Sequence, residues 1–91
     1  MKYIDHSSRR QMQKVLKRNL HVLLLRTRDH MGLKQYEMAE HYVMSNTSYS
    51  DLERGKTSCG TLTLLLLLHD QDDPKAALDA LIEALHTEMG D

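Results

Sequence analysis

Gly32-Leu33-Lys34-Gln35-Tyr36-Glu37-Met38-Ala39-Glu40-His41-Tyr42-Val43-Met44-Ser45-Asn46-Thr47-Ser48-Tyr49-Ser50-Asp51-Leu52-Glu53-Arg54-Gly55-Lys56 is the stretch on which the fold turns. Glycine at 32 and 55 brackets it, each placed where a helix can end in a left-handed turn. Between them, residues 35–42 put Met38, Ala39 and Tyr42 on one helical face. Ser45 then offers an N-cap for a helix over 46–53, with Tyr49 and Leu52 spaced i, i+3. Two short helices joined by a turn of three to four residues define a helix-turn-helix candidate at about residues 35–54. Alanine at 39 is the small side chain that lets the second of these helices cross the first closely. The opposite face of residues 46–53 is polar, beginning with Asn46 and Thr47 and continuing one turn later with Ser50 and Asp51.

Outward from this segment the pattern stays helical. Ser8-Arg9-Arg10-Gln11 has capping-box spacing, which predicts a first helix from Arg9. Its apolar stripe runs Met12, Val15/Leu16, Leu20 and Leu23/Leu24, and Met31-Gly32 ends it. A fourth helix is predicted over residues 61–69, with leucine on nearly every side, so deep burial is expected. Asp73-Pro74 opens a fifth, Asp as N-cap and Pro at the first helical position. Its stripe is Leu78, Leu81/Ile82, Leu85 and Met89. Sixteen leucines stand against five Val or Ile, with no Phe or Trp. Such a core suits helices and starves a sheet. The fold class is therefore all-α: one compact domain of five helices over 1–91.

Several classes are excluded. The apolar runs at 22–25 and 64–68 are far shorter than the roughly 20 residues of a membrane span. No basic-then-apolar signal segment opens the chain. The single Cys59 permits no internal disulfide and fits a reducing cytoplasm. Six histidines are scattered without His-x-x-x-His or Cys-x-x-Cys spacing, so no metal is expected. No nucleophile elbow or phosphate loop is present, so neither an enzyme nor a cofactor is expected.

Gly32-Leu33-Lys34-Gln35-x-x-Met38-Ala39-Glu40, followed by Ser45-x-x-x-Tyr49-Ser50-x-Leu52-Glu53-Arg54-Gly55-Lys56, resembles the DNA-binding domain of the phage repressor and Cro family, often called the Xre family. The resemblance covers about residues 20–68. It divides the chain into a basic extension and start of helix one (1–19), a family core (20–69) and a C-terminal helix (73–89). It implies a transcriptional regulator, a repressor, that reads operator DNA through the third helix in the major groove. Base readout then falls to Asn46, Thr47, Ser50 and Asp51. Phosphate contact falls to Lys34, Gln35, Arg54 and Lys56. Arg28 and Glu53 match an ion pair that ties the first helix to the end of the third. Two positions depart from the family pattern. Val43 stands where the turn normally has glycine, so the turn must avoid a left-handed φ or accept strain. Asp51 places a carboxylate among the readout residues, and residues 45–53 contain no Lys or Arg.

Charge is divided along the chain. Residues 1–34 hold nine Lys/Arg and two Asp, a net of +7, and residues 35–91 hold three Lys/Arg and eleven Asp/Glu, a net of −8. The basic part can meet the phosphates of double-stranded DNA or the acidic half of a second subunit. The stripe of Leu78, Leu81, Ile82 and Leu85 is the expected homodimer interface. The competing reading is a protein-binding adaptor or antitoxin-like module that keeps the fold, has weak or no DNA binding, and engages its partner through the acidic C-terminal half.

Overall fold

Three glycine-type helix ends organise the chain. In the computed structural model, which describes residues 6–88, the helices are α1 (His6–Met31), α2 (Gln35–His41), α3 (Asn46–Glu53), α4 (Thr61–His69) and α5 (Pro74–Glu88). No strand occurs among the described residues, so the chain is all-α. Met89, expected on the α5 stripe, lies outside them.

Each of α1, α2 and α3 closes with paired reverse hydrogen bonds. After α1, Gly32 N–H reaches Asp29 O and Leu33 N–H reaches Arg28 O. After α3, Gly55 and Lys56 do the same to Leu52 and Asp51, and after α2, Val43 and Met44 do it to Glu40 and Ala39. This is the Schellman arrangement, which needs a left-handed residue at its pivot. Gly32 and Gly55 take φ of 67° and 74°, and Val43 takes 57°. Val43 therefore accepts the strained conformation instead of avoiding it.

Helix starts follow their caps. Ser45 Oγ accepts from Ser48 N–H at 3.1 Å, and Asp73 Oδ1 accepts from Ala76 N–H at 3.1 Å. The Lys34 N–H donates to Glu37 Oε1 at 2.9 Å. Ser8 is not a cap, because α1 already runs through it from His6. Once a helix is nucleated, a serine costs little to pass through, so capping-box spacing alone does not fix a start.

α1 is 26 residues long, about 39 Å at 1.5 Å per residue, and accounts for the 40 Å long dimension. It packs against α3 and α5, α2 packs against α3, and α4 against α5. Leu20 and Leu24 from α1, Met38, Ala39, Tyr42, Tyr49 and Leu52 from the α2–α3 pair, Leu67 and Leu68 from α4, and Leu81 from α5 form the core. Tyr42 and Tyr49 stack within it, ring centroids 6.4 Å apart.

α4 departs from expectation. Leu67 and Leu68 are buried, but Leu62 is 70% and Leu65 58% exposed. A chain this small offers core to one side of a nine-residue helix, and leucine on every side leaves the surplus in water. None of the described helices is long and apolar enough to cross a membrane.

Candidate nucleic-acid interface

The α2–α3 pair is fixed from beneath. Met38, Ala39 and Tyr49 are fully buried, and Tyr42 and Leu52 nearly so. Ala39 has the small side chain that the close crossing requires. With one face of α3 held down, Asn46 and Thr47 stand exposed at its first turn. Ser50 and Asp51, one turn on, are half-buried. Asp51 lines a shallow hollow with Met44, Ser48, Leu52, Thr57, Ser58 and Gly60.

The end of α3 is clamped to two other helices through Glu53, whose side chain is only 4% exposed. Arg28 Nε donates to Glu53 Oε2 at 2.9 Å and Arg28 Nη2 to Oε1 at 3.0 Å, a two-pronged pair. Arg28 Nη1 also reaches the Leu33 carbonyl at 3.3 Å, linking the α1–α2 turn to the same centre. Gln35 Nε2 donates to Glu53 Oε1 at 3.1 Å. The His21 ring, two helical turns before Arg28 on the same face of α1, meets the Glu53 backbone carbonyl through Nδ1.

Burial works to raise the Glu53 pKa, yet the Tyr49 hydroxyl beside it, Gln35 and Arg28 outweigh burial and hold the carboxyl below its ordinary value. The pairing in turn raises the Arg28 pKa against the opposing effect of burial. The buried Tyr49 hydroxyl sits close to this carboxylate but outside good hydrogen-bond geometry, and among the described residues it is the one buried side-chain polar atom without a hydrogen-bond partner. Burial pushes its own pKa up.

The residues named from the sequence thus fall into three groups. Asn46, Thr47, Ser50 and Asp51 share the outer side of α3. Lys34, Arg54 and Lys56 are exposed at the start of α2 and the end of α3. Gln35 is different, because its amide is engaged by Glu53 and so belongs to the clamp. Sequence reasoning missed this, and it missed His21. The spacing of His21 and Arg28 by seven positions was the available signal, since both reach the same end of α3.

On α5, Leu81 is 8% exposed and lies in the core, which corrects its expected place on a free interface. A stripe of i, i+3, i+4 positions has an inner and an outer edge, and Leu81 takes the inner one against α1 and α4. Leu78 and Ile82 are exposed and Leu85 is half-buried.

Away from α3, α2 is tied to the end of α4. Tyr42 Oη donates to Asp70 Oδ2 at 2.8 Å and His41 Nε2 lies 2.9 Å from the same oxygen. Among the described residues, no three His, Cys, Asp or Glu side chains converge to hold a metal ion. Comparison with protein-family models, with curated proteins and with solved structures finds no match to this chain.

Proposed function

We propose that the protein is a sequence-specific DNA-binding regulator, a repressor, in which residues 35–54 act as a helix-turn-helix and α3 enters the major groove. The observation that carries this reading is the way α3 is mounted. Its inner face is buried, its C-terminal end is clamped through Glu53 to α1 and α2, and its first turn offers Asn46 and Thr47 to solvent. Rigid presentation of a short polar helix is what base readout requires. Asn46 suits the paired donor and acceptor of adenine, and the Thr47 methyl suits the thymine methyl. Lys34, Arg54 and Lys56 flank the helix and serve the phosphates, which position the protein without reading sequence. The reading assigns no catalytic step to the chain and no cofactor, and it places the protein in the cytoplasm.

The working unit is a homodimer. Leu78 and Ile82 on α5 are exposed large apolar side chains, and a second copy is the occupant that a symmetric contact supplies. Two copies of α3 held about 34 Å apart would meet successive major grooves. A second reading, a protein-binding adaptor, draws on the exposed Leu62 and Leu65 together with the acidic C-terminal half.

Selection of duplexes from a random pool, followed by titration of variants against the enriched site, tests the assignment. Asn46→Ala should lose about 1–3 kcal/mol of discrimination at one base pair. Arg54→Ala/Lys56→Ala should weaken binding evenly across sequences. Unchanged affinity in both variants would remove α3 from the interface.

A further inference from the structure

A helix that enters a phosphate-walled groove here brings no cation of its own, since residues 45–53 contain neither Lys nor Arg. The cations stand beside it. Lys14, Lys17, Arg18 and His21 of α1, with Arg54 and Gly55 at the end of α3, line one open groove, and among the described residues no acidic side chain lines it. Helical geometry explains the row, because positions 14, 17, 18 and 21 share a face. Arg10, exposed one turn earlier, continues it. From Arg10 to His21 the row extends about 16 Å at 1.5 Å per residue. Gly55 borders α1 closely, its missing Cβ position lying 4.0 Å from the Lys17 carbonyl oxygen. Lys14, Lys17 and Arg54 form no ion pair with any described residue. Glu53, the acid next to Arg54, is already taken by Arg28.

The geometry points to this groove as a dedicated seat for the sugar–phosphate backbone of duplex DNA, gripped by Lys14, Lys17 and Arg54. The inference rests on the DNA-binding reading and deepens it by dividing the labour. α3 supplies discrimination and the long α1 supplies affinity. A linear row of cations suits a regular polyanion, since one DNA strand places a phosphate every 3.4 Å of rise and about 16 Å of helix faces four or five of them. An acidic protein surface has no such repeat.

The test is fluorescence anisotropy on a random-sequence duplex of about 30 base pairs, with salt raised from about 50 to 200 mM. For Lys14→Ala/Lys17→Ala, the slope of log affinity against log salt should become shallower by about 2 units, close to 0.9 per lost phosphate contact. Lys75→Ala on α5, away from the groove, should keep the slope of the unmodified protein. Thermal melting by circular dichroism establishes that each variant is folded, and Lys14→Gln/Lys17→Gln repeats the test should the alanine pair melt early. An unchanged slope in a folded double variant that still binds DNA would overturn the groove assignment and leave the α3 reading standing. Absence of duplex binding by the unmodified protein would overturn both. Binding of polyglutamate in place of the duplex, lost in the double variant, would overturn the inference in favour of an acidic protein partner.

Discussion

Val43 is the residue at which sequence and backbone disagree most sharply. It occupies the pivot of the α2 helix end at φ 57°, where the other two such ends carry glycine, and it is 88% exposed. Nothing packs on the side chain to compensate for the strain. A left-handed conformation costs an L-residue about 1–2 kcal/mol, and a β-branched one is crowded further. Glycine removes that strain but loosens the unfolded chain by about 0.5–1 kcal/mol. Val43→Gly should therefore stabilise the protein by about 1 kcal/mol, which is a rise of about 4–8 °C in Tm for a domain of this size. Calorimetry checks it, and a lower Tm in the variant would mean that the valine side chain contributes something the exposed position does not reveal. The strain sits in the turn between α2 and α3.

At the scale of elements, the Glu53 clamp joins α1, α2 and α3. Its folded pKa is held below the ordinary 4.5, so the native state binds fewer protons than the unfolded chain between those two values. The resulting stability is complete above pH 4.5 and is lost as pH falls through the lower, folded value. Glu53→Gln should cost about 2 kcal/mol at neutral pH, because Arg28 loses its counter-charge in a partly buried site. Denaturant unfolding should show the gap between variant and unmodified protein narrowing as pH falls below 4.5 and through the lower, folded pKa. A gap of constant size across that range would mean that ionisation of Glu53 is not what holds the three helices. Much of this level was legible in the sequence. Ser45 and Gly55 mark the bounds of α3, Asp73-Pro74 marks the start of α5, and the resemblance to repressor domains implies the Arg28–Glu53 pair. What was not legible follows from geometry that spacing does not carry. Gln35 can face solvent or turn onto Glu53 with the same helix beneath it. α4, leucine all round, gave no sign of which side would meet the core. Leu81 and Ile82 are adjacent in the chain, and only the packing of α5 on α1 and α4 decides that one is buried and the other exposed.

The whole molecule separates its charges and leaves apolar surface outside its core. The basic face of α1 runs beside the end of α3, and the exposed Leu78 and Ile82 belong to α5, in the acidic half. If those α5 residues meet a second copy, Ile82→Glu should give a folded monomer by sedimentation, with operator binding weakened by the loss of paired half-sites. A monomeric unmodified protein at tens of micromolar, on the order of a weak dimer's dissociation constant, would remove the symmetric arrangement. Leu81→Glu, by contrast, should unfold the chain, because it places a charge among Leu67, Leu68 and α1. Whether this molecule distinguishes one DNA sequence from another, as proposed, is read from the ratio of affinities for a selected duplex and its scrambled counterpart at one physiological salt concentration. A ratio of at least about 10³ is expected, the lower range for specific DNA-binding proteins. Equal affinity for the two duplexes, or no binding to either, would contradict it.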